Sequence, residues 1–188
     1  MQLRRHLLTL RMAWALLAAL MVTGCTTQPV TGPPRAGAFN ATDTAWIQLM
    51  IPMSERAHLL TALAPSRAAD PALADLSARA GTRLEQEGVS LRALLDLSGI
   101  PDTRPHEGYD MPGMVSLDTL ARAKRATGRE FERILTGSLR AHFAQSRTLC
   151  ASERASGGAN EAKDLAALVE RSATEELDRL GGPSRPSP

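Results

Sequence analysis

Apolar residues recur every three to four positions along nearly all of residues 42–180, and this helical spacing restricts the fold more than any other feature of the sequence. No stretch shows the alternation of apolar and polar residues that is typical of a half-buried strand. Prolines, glycines and capping residues divide the region into four long segments and one short segment. The pattern therefore predicts an all-α chain.

The ends of the predicted helices follow from these capping signals. The predicted ranges are 42–63, 70–97, 116–127, 129–155 and 161–180. Asn40 or Thr42 is expected to cap the first helix and Asn160 the last. Asp70 is expected to cap the second helix, with Pro71 at the first helical position. Two long-helix hairpins, joined by a linker loop and a short extra helix, are then expected to form a four-helix bundle.

The first 24 residues have the pattern of a bacterial lipoprotein signal peptide. Three arginines flank the start of an apolar stretch at residues 13–22, which at about 1.5 Å per residue spans only about half of a ~30 Å hydrocarbon core. Residues 22–25 then read Val-Thr-Gly-Cys, as in a lipobox. We predict cleavage before Cys25 and attachment of lipid to it, which would hold the protein outside the cytoplasm on the bacterial cell membrane. An ordinary signal peptide with an incidental cysteine is the alternative.

The rest of the chain divides by composition. Residues 25–38 are rich in proline, glycine and small polar residues, so they are expected to form a flexible tether. Residues 39–180 carry the helical pattern and form the predicted bundle domain. Residues 181–188 again contain glycine, proline and serine and are expected to be a disordered tail.

The charge of the chain does not favour nucleic-acid binding. The full chain has 22 basic and 20 acidic side chains. Three of the arginines lie in the predicted signal peptide, so the mature chain would have 19 basic residues and a net charge of −1. No basic stripe with interleaved aromatic residues is visible. The expected partners are the membrane, through lipidated Cys25, and an envelope protein.

Three motifs resemble a known family when their order and spacing are taken together. Residues 39–57 read FNATDTAWIQLMIPMSERA, residues 111–114 read Met-Pro-Gly-Met, and residues 131–133 read Phe-Glu-Arg. This arrangement resembles the bacterial family called domain of unknown function 305, over residues 39–180. The resemblance implies a ferritin-like bundle of two repeats, often secreted or lipid-anchored, and associated with copper in some members.

The sequence departs from the family at the positions that matter most for a metal. The family usually carries a histidine pair on the first helix of each repeat, and a glutamate followed by a methionine on the second. The equivalent residues here are Met53-Ser54, His142-Phe143, Glu87, Leu91, Glu176 and Leu180. Most of the ligand set that the resemblance implies is therefore missing.

A copper site built from the remaining donors is still a reasonable hypothesis, because thioether and imidazole groups suit Cu(I). The candidate ligands are Met53, His142, Met50, His106, Met111 and Met114. Met53 and His142 are equivalent in the two repeats, and Met50 lies one turn before Met53. The alternative is that the methionines only fill the core. The sequence thus favours weak Cu(I) binding or handling in the cell envelope, or else a metal-free structural or protein-interaction module.

Catalysis is not predicted, so the chain is interpreted as a non-enzyme. No helix carries the Glu-x-x-His pair of di-iron bundles, and no glycine-rich phosphate loop is present. Cys150 and His142 lie on one predicted helix, about 12 Å apart along its axis, too far for a nucleophile and its base. Cys150 is expected to be a buried free thiol.

Overall fold

A computed structural model describes residues 38–181, which form six helices and, within that range, no strand. The helices are α1 (Ala41–Thr61), α2 (Ala64–Arg67), α3 (Pro71–Ser98), α4 (Leu117–Arg125), α5 (Gly128–Ser156) and α6 (Asn160–Gly181). The all-α prediction is confirmed. No helix within this range combines the length and apolar character needed to cross a membrane. The predicted signal peptide, Cys25 and almost all of the predicted tether and tail lie outside the described residues.

Two helices begin at the caps that the sequence predicts. The side chain of Asn40 accepts a hydrogen bond from the N–H of Asp43 at 3.1 Å, and the Asp43 carboxylate accepts one from the N–H of Asn40 at 2.5 Å. This reciprocal pair is a capping box, which satisfies two of the free donors at the helix start. Asp70 accepts a hydrogen bond from the N–H of Ala72 at 2.9 Å, with Pro71 at the first helical position.

The start of α6 differs from the prediction. Asn160 is the first residue of the helix and not its cap. The two N–H groups before it, from Gly158 and Ala159, donate to the carboxylate of Asp43 at 3.0 and 3.2 Å. Asp43, which is distant in the sequence, therefore binds the two N–H groups that precede the helix, and a local sequence pattern cannot reveal such a contact.

The four long helices form a bundle of two hairpins. α1 packs mainly against α3, and α5 packs mainly against α6. α1 also lies along α5 and α3 along α6, which closes the bundle. One apolar cluster, centred on Phe131, fills the end that α4 covers. A second cluster, which contains Trp46 and Met50, fills the end where α1 begins.

The internal repeat is visible in the hydrogen bonds that join the two hairpins. Glu132 on α5 stands in the second repeat where Asp43 on α1 stands in the first. Just as Asp43 binds the N–H groups before α6, Glu132 accepts hydrogen bonds from the N–H groups of Ala69 and Asp70, before α3, both at 2.8 Å. Each first helix thus fixes the start of the other hairpin's second helix.

Candidate functional site

His142 is the most unusual polar residue of the bundle interior. It lies on α5 with 0 % of its surface exposed, and its ring packs edge-on against Phe143 with centroids 5.2 Å apart. Within residues 38–181, neither ring nitrogen has a hydrogen-bond partner of good geometry. Burial lowers the pKa of His142 to about 4, although the nearby backbone of Gly113 opposes the shift. The imidazole is therefore neutral at physiological pH and keeps a lone pair for a ligand.

Four of the predicted thioether ligands lie in one apolar cluster. Met50 and Met53 on α1 are fully buried, Met114 is almost fully buried, and Met111 packs against the same cluster from the linker loop. We call these four residues the methionine cluster. The structure therefore brings together donors from two segments that are far apart in the sequence.

The linker loop is pressed onto α5 beside His142. Met111 and Met114 close a turn through a hydrogen bond of 3.0 Å from the N–H of Met114 to the carbonyl of Met111. Gly113 in that turn has φ of +83°, and a Cβ added there would lie 2.2 Å from Cβ of Gln145. Only glycine fits this position, since both the backbone angle and the space exclude a side chain. The turn thus places the loop methionines on the helix segment that carries His142.

His106, the remaining predicted ligand, occupies a different environment. It is half-buried in the same loop, and its ring packs against exposed Tyr109 with centroids 4.8 Å apart. Arg56 on α1 ties this part of the loop down, because its guanidinium donates to the carbonyl of Tyr109 at 2.7 Å and to that of Glu107. His106 therefore belongs to the outer part of the loop.

Sequence reasoning missed a polar pair in the bundle interior. Ser54, which stands where the family carries a histidine, donates a hydrogen bond of 2.5 Å to the carboxyl group of Glu87 on α3. Burial raises the pKa of Glu87 to about 7, and the bond from Ser54 opposes this rise. The one sequence signal for this pair was the serine at position 54, because it places a polar group where the family carries a histidine, opposite the glutamate position that Glu87 occupies.

The second repeat lacks this pair. Phe143 stands where Ser54 stands in the first repeat and offers Glu176 no hydroxyl group. Glu176 is almost fully buried, and its Oε1 lies 2.8 Å from Arg179 and 3.2 Å from Arg83. Within the described residues, its Oε2 has no hydrogen-bond partner. Glu176 is therefore a buried acid that is held by arginines and not by a hydroxyl group.

A second buried carboxyl pair lies at the start of α1. Glu153 on α5 is fully buried beside the carboxylate of Asp43. Within residues 38–181 neither oxygen of Glu153 has a hydrogen-bond partner when the group is ionised, so a hydrogen bond to Asp43 needs a proton on Glu153. Burial raises the pKa of Glu153 to about 8, and the hydrogen bond and negative charge of Asp43 add to the rise. Burial also pushes the pKa of Asp43 upward, but its hydrogen bonds to Glu153 and to backbone N–H groups hold that pKa below its usual value. At neutral pH Asp43 is therefore ionised and Glu153 is protonated.

Cys150 is a fully buried free thiol, as predicted. Burial raises its pKa to about 12, and the negative charge of Glu87 contributes to the rise. A thiol with this pKa is almost entirely protonated at neutral pH and is a poor nucleophile. Residues 38–181 contain no group of three or more His, Cys, Asp or Glu side chains placed to hold a metal. A metal site in this part of the chain would therefore depend on thioether ligands.

Comparison with known proteins agrees with this architecture. The sequence profile of DUF305, a domain of unknown function, matches residues 43–182. The chain therefore belongs to the DUF305 family. No curated protein matches the chain.

Solved structures with low sequence identity share the fold. A DUF305 protein from Streptomyces coelicolor, described as secreted, is 16% identical with a TM-score of 0.66, covering 74% of this chain and 89% of its own. A DUF305 fragment from Deinococcus radiodurans is also 16% identical with a TM-score of 0.69, covering 77% and 96%. A protein from Bacillus halodurans C-125, described as a spore coat protein, is 12% identical with a TM-score of 0.56, covering 82% and 99%. At these identities the similarity defines the fold alone.

Proposed function

We propose that this protein is a lipid-anchored domain of the bacterial cell envelope that binds Cu(I) through His142 and the methionine cluster, without catalytic activity. The observation that carries the proposal is the fully buried imidazole of His142, neither of whose nitrogens has a hydrogen-bond partner of good geometry within residues 38–181, with only the backbone of Gly113 nearby. A buried polar group without a hydrogen bond costs about 1–3 kcal/mol of stability. A soft metal ion would use the free lone pair and offset that cost.

The chemistry of the surrounding donors fits Cu(I) better than other ions. Thioethers are soft ligands, and a neutral imidazole is a good partner for them. The methionine cluster supplies four sulfur atoms in the interior that the linker loop closes over. Because three of the four histidines that the family resemblance implies are absent, we expect binding to be weak.

The proposed location rests on the lipobox at residues 22–25 and on the Streptomyces relative, which is described as secreted. Replacing Cys25 with serine tests the anchor directly. After a high-salt wash, which releases proteins held to the membrane by charge alone, the wild-type protein is expected in the membrane fraction and the Cys25→Ser variant in the soluble fraction. A Cys25→Ser protein that stays in the membrane fraction would contradict lipid anchoring.

Anaerobic titration with Cu(I) against a competing chelator tests the metal site. His142→Leu and Met53→Leu keep the core filled and each remove one donor, so both are expected to fold and to bind copper at least tenfold more weakly. His58→Leu is the matched control, because His58 lies outside this set, with Nδ1 3.0 Å from the carbonyl oxygen of Gly81. Binding that is weaker than micromolar, or that ignores both substitutions, would refute the site. In that case the metal-free envelope module becomes the better interpretation.

A further inference from the structure

The exposed face of α5 carries a regular stripe of arginines. The stripe consists of Arg133, Arg140, Arg147 and Arg154. A seven-residue spacing keeps side chains on one face of a helix, with a drift of only about 20° per heptad. All four residues are exposed, and at 1.5 Å per residue the stripe is about 31 Å long. We call this set the arginine stripe.

The arginine stripe is poorly balanced by acidic groups. The sequence contains no aspartate or glutamate between Glu132 and Glu153. Arg154 pairs with Glu170 at 2.6 Å, and Arg140 donates to the carbonyl oxygen of Leu180 at the end of α6. Within residues 38–181, Arg133 and Arg147 have neither an ion pair nor a side-chain hydrogen bond.

Other arginines of the bundle are arranged differently. Arg83 pairs with two glutamates on α6, and Arg92 and Arg104 share Glu55. These pairs neutralise the positive charge locally. On the α5 face two of the four guanidinium groups have neither an ion pair nor a side-chain hydrogen bond within residues 38–181, although Glu170, the partner of Arg154, also lines the groove beside Arg147. Small residues separate these guanidinium groups. These small residues are Gly137, Ala144 and Ala151.

The chain that precedes the bundle enters at one end of the arginine stripe. The side-chain amide of Asn40 donates to the carbonyl of Ser156 at 2.9 Å, and a Cβ added at Gly158 would lie 2.5 Å from the carbonyl oxygen of Ala38. Ala38 is thus held against the α5–α6 turn, close to the Arg154 end. The segment from Cys25 to Ala38 could reach about 45 Å if extended, which is longer than the stripe.

We propose that the arginine stripe docks onto the anionic phospholipid surface of the membrane to which the protein is anchored. Guanidinium groups bind phosphate oxygens in a bidentate manner, and a row of them matches a surface of phosphate headgroups. An anchor that enters beside Arg154 allows the whole length of α5 to lie along that surface. The inference rests on the proposed membrane location, but it does not depend on copper.

The test measures binding of a metal-free unit of residues 26–188, the predicted mature chain without Cys25, to lipid vesicles, so that no lipid anchor contributes. Vesicles of phosphatidylcholine with phosphatidylglycerol are compared with vesicles of phosphatidylcholine alone, at low and high salt. We expect binding only to the mixed vesicles, and weaker binding at high salt because the charges are screened. Each basic residue near an anionic surface contributes about 1 kcal/mol, or about fivefold in binding, so Arg133→Gln with Arg147→Gln should weaken binding roughly 25-fold.

The matched control removes the same two charges from another helix. Arg79→Gln with Arg92→Gln changes α3, which lies diagonally across the bundle from α5, and is expected to leave vesicle binding within about twofold of wild type. No binding by the wild-type unit, equal binding to both kinds of vesicle, or equal losses in the two double variants would each overturn the proposal. The Cys25→Ser fractionation reports separately on anchoring, so failure of one proposal is distinguishable from failure of the other.

Discussion

Replacing Glu153 with glutamine should change how the stability of this protein depends on pH. The carboxyl group of Glu153 is fully buried beside the Asp43 carboxylate, and as an ionised group it has no hydrogen-bond partner within residues 38–181. Asp43 itself accepts hydrogen bonds from the N–H groups of Asn40, Gly158 and Ala159. Asp43 therefore keeps its negative charge, and the contact between the two carboxyl groups needs a proton on Glu153. Glutamine has nearly the same shape and donates an N–H to Asp43 at every pH.

The sign and size of the effect follow from the raised pKa of Glu153. In the unfolded chain Glu153 ionises near pH 4.5, whereas in the fold its pKa is about 8. Between these two pKa values the folded protein binds one more proton than the unfolded chain. The stabilisation by protonated Glu153 is therefore complete below pH 4.5 and is lost as the pH rises towards 8. A slope of 1.36 kcal/mol per pH unit gives at most about 3 kcal/mol between about pH 5 and about pH 7.5.

Urea unfolding of the wild type and of Glu153→Gln across this pH range measures the difference directly. The two proteins are expected to be similar in stability near the acidic limit, and the variant should become progressively more stable as pH rises. Glu87 and His142 also titrate abnormally, but they are present in both proteins and cancel in the comparison. Glu85→Gln, at an exposed position on α3, is the control and should show no such trend. A difference in unfolding free energy that stays constant with pH would refute the shared proton.

Two further substitutions test the packing of the linker loop and the interior polar pair. Gly113→Ala should destabilise the fold by about 1–3 kcal/mol in urea unfolding, because the new Cβ would meet α5 and the backbone there has a positive φ. Gly108→Ala is the control and should be nearly neutral, because the space around Gly108 is open. Equal effects of the two substitutions would contradict the close approach of the loop to α5. Ser54→Ala removes the only hydrogen-bond donor to the carboxyl group of Glu87 within residues 38–181, so the pKa of Glu87 should rise above its value of about 7 in an NMR titration. The free energy of unfolding should fall by about 1 kcal/mol. An unchanged pKa would show that the hydrogen bond from Ser54 does not stabilise the ionised carboxyl group.

The fold was largely predictable because its signals are local. Asn40 and Asp70 stop the chain at short-range caps, and apolar spacing identifies the buried face of each helix. The prediction that Asn160 caps α6 was wrong because the donors there are satisfied by Asp43, which is distant in the sequence. This contact forms only in the folded bundle, so the spacing of residues in the sequence does not predict it.

The candidate site was only partly predictable, for a related reason. Met53 and His142, which are equivalent in the two repeats, are both fully buried, and Met114 lies in the apolar cluster that contains Met53 while Met111 packs against it. The buried acids escaped prediction, because a glutamate on a helix normally faces solvent. Glu153 and Glu176 are buried since each has a partner from another turn or helix, and such partners are known only from the fold.

The two repeats differ most where they bury polar groups, and this difference bears on function. In the first repeat Ser54 satisfies Glu87, and Ala64 stands at the position that Glu153 occupies in the second. A helix junction of this kind therefore forms without a buried acid, so the additional carboxyl group on α5 is not required by the fold.

His142 likewise has an apolar equivalent in Met53, which needs no hydrogen bond. Because an unsatisfied polar group costs stability, His142 carries a cost that Met53 avoids. Bound copper at His142 would offset part of that cost, so His142→Leu should stabilise the metal-free protein even as it weakens copper binding. A His142→Leu variant that is less stable without metal would indicate that the imidazole has a structural role instead.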